Sequence, residues 1–325
     1  MRFALMIEPQ QGVTYDQQLA IARRAEAAGF ETLFRSDHYA GFPGEGEGPT
    51  TDAWAVLAGL ARETERIRLG SLVSPVTFRH PGNFVKVVTT VDEMSGGRIE
   101  VGLGAGWNDD DHGPLGLPFP DIKERADLLE DQLAILHGLL TEPDGWTFEG
   151  HQVRVTGSYL RPGAVAAAGR PRENGRPRPR ILVGGEGSPR GFRIAAKWAD
   201  EFNLTSSSPD RAKERFALLD ETLDAAGRDR STLTKSAMVG TVVGATTAEL
   251  ERRIRDQMAA FAVEGDPGAW LDARRPRWIV GTPDAARAMV QRYADVGVER
   301  LMLQDFLPWD LDMIDLLAAE LVTRS

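Results

Sequence analysis

Histidine and carboxylate side chains follow two short apolar segments near the start of the chain. Glu8 stands directly after the apolar run at 2–7, and Asp37 and His38 follow the run at 32–35. Imidazole can accept or release a proton near neutral pH, so His38 is the first candidate for a catalytic acid or base. Glu8 is the second candidate, and Asp37 can orient the His38 ring or hydrogen-bond a ligand.

A second set of candidates lies in the stretch from residue 68 to residue 112. Its apolar spacing predicts a strand over 68–73, a helix over 82–94 and another strand over 99–103. The two strands of such a βαβ unit are parallel, and the loops at their carboxyl ends share the edge where ligands bind. The loop residues with binding potential are Ser71, Ser74, Gly104, Gly106, Trp107, Asp111 and His112.

A glycine-rich segment stands between a predicted strand at 181–183 and a predicted helix at 190–198. Glycines let backbone N–H groups approach a ligand closely, and the N-terminus of a helix attracts anions. The candidate phosphate-binding residues are Gly184, Gly185, Glu186 and Gly187. The Glu186 carboxylate is expected to point away from a phosphate. A tight turn without a ligand is the alternative.

The order of predicted elements indicates an α/β fold. Counting along the chain gives eight βα-like units, which predicts a (β/α)8 TIM barrel with loop insertions as a single domain over 1–325. One insertion is expected near 144–180, with a small hairpin at 146–155 and a solvated stretch rich in Pro, Gly and Arg at 161–180. A second, irregular insertion is expected at 264–278.

The composition excludes several classes of protein. The chain is 42% hydrophobic and 26% charged, and it has neither an apolar run of membrane-spanning length nor the pattern of a signal peptide, so a cytoplasmic location is expected. The absence of cysteine excludes thiolate chemistry, and the five histidines show no metal-ligand spacing, so no metal site is predicted. The net charge of −10 argues against a nucleic-acid partner.

Five segments, in order over nearly the whole chain, carry a family resemblance. They are SDHY at 36–39, RLGSLVSPVTFRHP at 68–81, SGGRIEVGLGAGWNDDDHGPLGLPF at 95–119, ILVGGEG at 181–187 followed by AAKWADEFN at 195–203, and VGTPDAARAMVQRYADVGVERLMLQ at 280–304. With these segments the sequence resembles the bacterial-luciferase-like flavin and deazaflavin oxidoreductases, particularly the branch that depends on coenzyme F420. The resemblance implies a cofactor lying across the strand ends of the barrel.

The resemblance also implies roles for single residues. His38 resembles the histidine that relatives place beside the reactive face of the ring. Relatives have a non-prolyl cis peptide after the third strand; the matching bond is Ser71-Leu72, so that Ser71, Leu72 and Ser74 would back the ring.

Two further matches concern the loop after the fourth strand. Asp111 and His112 match an acidic-His pair, which either contacts the cofactor tail or braces the loop. F420-dependent glucose-6-phosphate dehydrogenases carry a glutamate in this loop where the present sequence has Trp107, which argues against a sugar phosphate. Trp107 is expected to stack on the ring or to wall the substrate pocket, and core packing is the alternative.

The leading functional hypothesis is hydride transfer between F420 and a small organic substrate. An FMN-dependent monooxygenase of the same fold is the alternative, and a non-catalytic flavin-binding protein is a second one. The family also implies a homodimer. The substrate itself is expected to be selected by the loops at 41–49, 161–180 and 264–278, whose sequences are not diagnostic.

Overall fold

The computed structural model describes residues 1–42, 48–163 and 178–323 of the chain. Its strands, in chain order, are β1 (Arg2–Ile7), β2 (Thr32–Arg35), β3 (Arg68–Pro75), β4 (Ile99–Gly104), β5 (Trp146–Glu149), β6 (Arg154–Ser158), β7 (Arg180–Gly185), β8 (Glu201–Thr205), β9 (Thr234–Val243), β10 (Ile279–Gly281) and β11 (Arg300–Asp305). Its α-helices are α1 (Tyr15–Ala28), α2 (Ala53–Glu63), α3 (Pro81–Ser95), α4 (Ile122–Thr141), α5 (Pro189–Trp198), α6 (Pro209–Ala225), α7 (Thr247–Ala260), α8 (Pro267–Asp272), α9 (Pro283–Asp295) and α10 (Leu311–Leu317).

Eight of these strands form a closed parallel barrel. Their order is β1, β2, β3, β4, β7, β8, β9 and β11, and β11 pairs with β1 to complete the ring. Helices connect successive barrel strands and pack their apolar faces on the outside of the sheet, which follows from the right-handed crossover of parallel strands. The predicted (β/α)8 barrel is confirmed.

Local sequence signals fix several helix starts. Helix α6 begins at Pro209, and the Ser208 hydroxyl accepts a hydrogen bond from the Arg211 backbone N–H at 3.3 Å. Proline at the first helical position lacks an N–H that would be unpaired there in any case, and serine is a preferred N-cap. No helix in the described part of the chain has the length and apolar content needed to cross a membrane.

The two predicted insertions have different outcomes. Strands β5 and β6 form an antiparallel hairpin outside the barrel, as predicted for 146–155. The solvated stretch at 161–180 falls mostly on residues 164–177, which lie outside the described residues. The expectation of an irregular segment at 264–278 is wrong in part, because it contains α8. The ring centroids of Trp270 and Trp278 lie 5.8 Å apart with an angle of 88° between the ring planes. This buried contact stabilises α8, which is too short for its sequence to show the apolar spacing of a helix.

The inside of the barrel is filled at the amino-terminal ends of the strands by a buried charged cluster. Arg300 donates to Glu100 at 2.8 Å and to Glu201 at 3.1 Å, and all three side chains are fully buried. Arg68 adds a bond to Glu100 at 2.7 Å and Arg180 one to Glu201 at 3.0 Å. We call these five residues the charged plug.

The ion pairs within the charged plug offset the cost of removing its charged side chains from water. Burial opposes ionisation of Glu100, but the charges of Arg300 and Arg68 and the hydrogen bond from Arg300 hold the pKa of this carboxyl well below its usual value. Above the plug, the interior is mostly apolar and includes Ala4, Met6, Phe34, Leu72, Leu182 and Met302, with Asn203 hydrogen-bonded to Ser236 beside them. Among the described residues, the filled lower half leaves the open space inside the barrel at the carboxyl ends of the strands.

Breaking the charged plug should destabilise the fold strongly. Glu100→Gln leaves Arg300 with one charged partner fewer in a buried site, and the loss is expected to be about 3 kcal/mol in the free energy of unfolding. Urea denaturation measures it. Glu251→Gln, which breaks the exposed i,i+4 pair with Arg255, is the control and should cost less than about 0.5 kcal/mol. Equal losses in the two variants would contradict a stabilising role for the plug.

Asp305, the last residue of β11, is a buried carboxyl outside that cluster. Its Oδ1 accepts a hydrogen bond from the Leu307 backbone N–H at 2.8 Å, whereas within the described residues its Oδ2 has no partner. Burial raises the pKa of Asp305 from its ordinary value of 3.8 to about 7. The folded protein therefore retains a proton here that the unfolded chain has already released.

Asp305 should make stability fall as the pH rises. Between about pH 4 and pH 7 the folded state binds the extra proton, so its stability decreases across this window and levels off above it. Asp305→Asn removes this loss, and its melting temperature relative to wild type should be several degrees higher at pH 8 than at pH 4. The exposed Asp110→Asn should show no such difference. The same relative melting temperature for Asp305→Asn at both pH values would refute the assignment.

Candidate active site

A cavity of about 630 Å³ opens at the carboxyl ends of the barrel strands. This volume lies within the range of small-molecule and cofactor sites. Of the residues predicted from the sequence, the cavity brings together Glu8, His38, Leu72, Gly106, Trp107, Asp111, His112, Gly184, Gly185 and Glu186. Asp37, Ser71, Ser74 and Gly187 are not on its wall.

The floor of the cavity is an irregular part of β3. The register between β3 and β4 runs from Ser71 opposite Val101 directly to Ser74 opposite Leu103, so Leu72 and Val73 form a bulge. The non-prolyl cis peptide joins Leu72 to Val73, and its predicted position at Ser71-Leu72 is wrong by one residue. The physical reason is that Ser71 still pairs in register with β4, and the irregularity begins only after it.

Ser71 and Ser74 support this floor from behind. The Ser74 hydroxyl is 3.0 Å from that of Ser71 and 2.7 Å from Asp37 Oδ2, and it accepts a hydrogen bond from the Trp54 indole at 2.9 Å. Both serines are fully buried. Their predicted position against a cofactor is therefore corrected to one beneath the residues that face the cavity.

Two glycines make room for Val73. A Cβ atom at Gly104 would lie 2.7 Å from Val73 Cγ2, and one at Gly184 would lie 2.8 Å from Val73 Cγ1. Such distances are too short for carbon atoms, so only glycine lets the Val73 side chain occupy this place. These contacts fix the shape of the cavity floor.

His38 is held by a carboxylate from the neighbouring loop. Its Nδ1 lies 2.6 Å from Asp111 Oδ2, and Asp111 Oδ1 accepts hydrogen bonds from the backbone N–H groups of Tyr39 and Ala40 at 2.8 and 2.7 Å. Burial opposes ionisation of Asp111, but the hydrogen bond and charge of His38 and the two N–H donors keep the pKa of this carboxyl below its usual value. Asp111 thus orients the ring of His38 and connects the loop after β4 to the loop after β2.

Asp37 does not orient His38, contrary to one of its two predicted roles. It accepts hydrogen bonds from Arg79 at 2.6 and 3.2 Å and is fully buried. Arg79 also pairs with Asp52. Burial opposes the charge of Arg79, yet the Asp37 and Asp52 carboxylates raise the pKa of its guanidinium above the usual value. Asp37 braces the loop rather than facing a ligand.

Glu8 is fixed by two glutamines that sequence reasoning missed. Gln304 donates to Glu8 Oε1 at 2.5 Å, and Gln10 donates to Oε2 at 2.9 Å. Gln10 in turn accepts a hydrogen bond from the Ser36 hydroxyl at 2.6 Å. Glu8 is buried and lines the cavity, so its carboxylate is presented in a defined orientation. Gln304 belongs to the last barrel strand, and no local spacing connects it with Glu8.

The loop after β4 contributes a brace and a wall. His112 is buried between the Thr77 hydroxyl at 2.7 Å and the Asn108 carbonyl at 2.8 Å, so both ring nitrogens are engaged by the protein. Of the two predicted roles of His112, the structure supports bracing. Trp107 is 68% exposed, which excludes core packing, and its ring lies 5.7 Å from that of His38.

The glycine segment after β7 borders a second cavity of about 350 Å³, which shares Gly184, Gly185 and Ser188 with the first. A Cβ atom at Gly185 would meet no atom within 4 Å, so a larger residue would project into this space. Gly187 lies on the second cavity, together with Lys123 and Arg190. Glu186 lines both cavities, but its side chain is 82% exposed and accepts a hydrogen bond from Arg211 at 3.4 Å. The arrangement suits a phosphate group.

Taken together, these features describe a cavity lined by His38, which can carry a proton, and an adjoining cavity bordered by the glycine segment. His38, fixed by Asp111, can exchange a proton with a ligand. Glu8 offers a second polar contact. Within the described residues, no group of three or more His, Asp or Glu side chains is arranged to hold a metal ion. The geometry suits a large cofactor with a phosphate and a smaller molecule beside it.

Comparison with known proteins agrees with this geometry. A family model described as luciferase-like monooxygenase matches residues 1–300. The chain is 30% identical over 306 residues to an F420-dependent glucose-6-phosphate dehydrogenase of Nakamurella multipartita, which covers 87% of this chain and 84% of that protein. It is 28% identical over 296 residues to an F420-dependent hydroxymycolic acid dehydrogenase of Mycobacterium tuberculosis, with coverages of 87% and 77%.

Among solved structures, one of an F420-dependent secondary alcohol dehydrogenase in complex with an F420-acetone adduct is similar in fold. It superposes with a TM-score of 0.82 at 18% sequence identity, covering 100% of this chain and 99% of that one. At this identity the likeness establishes the barrel and no more.

The packing of Val73 against Gly104 can be tested by a double-mutant cycle. Gly104→Ala should lower the free energy of unfolding by about 1–3 kcal/mol, because the new methyl group displaces Val73. In a Val73→Ala background the same change should cost much less, since the clashing methyl groups are gone. Gly113→Ala is the control, as its Cβ meets nothing within 4 Å. Additive losses in the double variant would contradict the contact.

Proposed function

Because the chain belongs to the luciferase-like monooxygenase family, we infer that it is an oxidoreductase that transfers a hydride between coenzyme F420 and a small organic substrate. The observation that carries this proposal is the His38-Asp111 pair beside the Leu72-Val73 floor, in a chain similar over most of its length to F420-dependent dehydrogenases. The family supplies the class of reaction, and the curated relatives favour F420.

The described residues fit such a cofactor. The floor of Leu72 and Val73 offers an apolar surface for a tricyclic ring, and Gly104 and Gly184 leave room for the Val73 side chain in this floor. For the phosphate, the segment 185–188 lies at the N-terminus of helix α5. Lys123 and Arg190 border the same cavity and are at present ion-paired with Asp127, with Arg190 also pairing with Glu130. Positive charge and backbone N–H groups at a helix N-terminus favour an anion.

When bound, F420 supplies a carbon centre that gives or takes two electrons as hydride. The protein contributes the proton. His38 lies on the cavity wall, and the hydrogen bond from its Nδ1 to Asp111 leaves Nε2 as the ring nitrogen for exchange with the substrate. Asp111 is a positioning residue, and Glu8 orients the substrate or serves as a second proton carrier. The buried floor limits the access of water to the reacting atoms.

The choice between F420 and FMN is open to direct measurement. We expect the purified protein to bind F420 tightly in a fluorescence titration and to oxidise or reduce it with a suitable substrate without consuming oxygen. Tight binding of FMN together with oxygen uptake, and no binding of F420, would overturn the proposal in favour of the monooxygenase.

The role of His38 separates an enzyme from a non-catalytic flavin-binding protein. His38→Asn should lower kcat about 10²- to 10⁴-fold, the usual contribution of general acid–base catalysis, while leaving the dissociation constant of F420 nearly unchanged. His151→Asn is the control, because His151 is half-exposed on the hairpin side of the barrel and is not on the cavity wall. Equal turnover in both variants would mean that His38 has no catalytic role.

We also propose that residues 1–325 form one domain, that the enzyme works in the cytoplasm and that it is a homodimer. The first idea is supported by the family match over most of the chain. Light scattering on the purified protein tests the homodimer, and a monomeric mass would refute it.

The single domain would be refuted by two separate transitions in calorimetry. The cytoplasmic location would be refuted by recovery of the protein in a membrane or extracellular fraction.

A further inference from the structure

We propose that the substrate is an uncharged organic molecule whose alcohol or carbonyl group is flanked by apolar groups, and not a sugar phosphate. This inference rests on the proposed function and concerns the end of the cavity beside His38. Three properties of that end carry it: its aromatic walls, the sign of its charges and the ion pairs of Arg79 behind it.

The wall around His38 is aromatic. The ring of Phe42 lies 4.4 Å from that of His38 and 5.2 Å from that of Trp107, both edge to face. Phe306 lines the same cavity and is held by stacking on Trp278 at 5.5 Å. Aromatic faces bind apolar and aromatic groups well, and they carry no positive charge to pair with a phosphate group. The space next to the proton-carrying group therefore favours an apolar flank on the substrate.

The charges at this end are negative. Glu8 and Asp111 line the cavity, whereas no lysine or arginine of the described segments does so. A phosphate dianion placed beside His38 would face these carboxylates in a partly desolvated site, where like charges repel each other strongly. The charge pattern thus disfavours an anionic substrate at the reacting end.

A basic residue lies behind this end, but it is already bonded. Arg79 forms ion pairs with Asp37 and Asp52. Turning it towards a substrate would leave the fully buried Asp37 carboxylate without its charged partner, which is strongly unfavourable. Lys123 and Arg190 border the second cavity, where the cofactor phosphate is proposed to bind. Both pair with Asp127, but the side chains are 78% and 30% exposed, so water can replace this partner far more easily than at Asp37. The two ends of the site therefore differ in the charge that they accept.

The reaction follows from the proposed cofactor. The carbonyl carbon of a ketone would receive a hydride from reduced F420, the π electrons of the carbon–oxygen double bond would move to the oxygen, and this oxygen would take a proton from His38. The products would be the secondary alcohol and oxidised F420, with the ring N–H proton of reduced F420 released to solvent and the proton on His38 restored from solvent. The reverse reaction oxidises the alcohol, with His38 accepting the hydroxyl proton.

The test compares a neutral and an anionic probe. Acetophenone and glucose 6-phosphate are titrated by calorimetry into the protein alone and into the protein loaded with F420. We expect acetophenone to bind at least about 10-fold more tightly than glucose 6-phosphate in both forms. Turnover is followed by the absorbance of F420, with reduced F420 for the ketone and oxidised F420 for the sugar phosphate. Tighter binding or faster turnover of glucose 6-phosphate would overturn the inference.

A variant pair locates the neutral probe. Trp107→Ala should weaken acetophenone binding about 10-fold, because one aromatic wall is removed. Tyr159→Ala is the control, since this ring is 77% exposed and is not on the cavity wall. Equal affinities in both variants would overturn the placement. If F420 fails to bind at all, the proposed function fails, whereas the titrations of the protein alone still decide between the neutral and the anionic probe.

Discussion

The buried Arg300 side chain holds together the cluster that fills the amino-terminal end of the barrel. Arg300, on the last strand, joins Glu100 on the fourth barrel strand and Glu201 on the sixth across the interior. An ionised side chain without a partner is very unfavourable in the barrel interior. Each of these three charged side chains is therefore stable there only when the strands are in register and its ion-pair partners are in place. The ion pairs thus reinforce the closure of the ring, and the apolar layer above them completes the fill. A ligand can enter only from the opposite end, where the loops meet.

At that end, function depends on contacts between loops that are distant in sequence. Asp111, in the loop after the fourth strand, binds a histidine in the loop after the second. Gln304, on the last strand, and Gln10, in the connection after the first, hold Glu8. The barrel brings these groups together because all its strands end at one rim. The apolar floor and the aromatic wall then surround two defined polar positions. A mostly apolar pocket with a few polar groups held in fixed orientations is typical of cofactor sites.

Sequence reasoning was most successful where the signal is local. Strand and helix order, the Pro209 start of α6 and the glycine segment after β7 are readable from periodicity and turn residues, and the barrel follows from their count. It failed where the deciding contact is remote. Asp37 was a natural partner for its neighbour His38, but the chain turns so that Asp37 meets Arg79 and Asp111 takes the histidine. The shift of the cis peptide by one residue depends on pairing with β4, which a single strand does not reveal.

The contact of Val73 with Gly104 and Gly184 has a consequence for the evolution of this protein. Three positions from three strands share one small volume, so a larger residue at either glycine is acceptable only after position 73 has become smaller. Substitutions there are epistatic: their effects depend on the order in which they arise. The floor of the site is therefore difficult to alter by single steps. The exposed Trp107 at the rim is under no such restriction, and diversification of substrate range is expected to proceed through the rim.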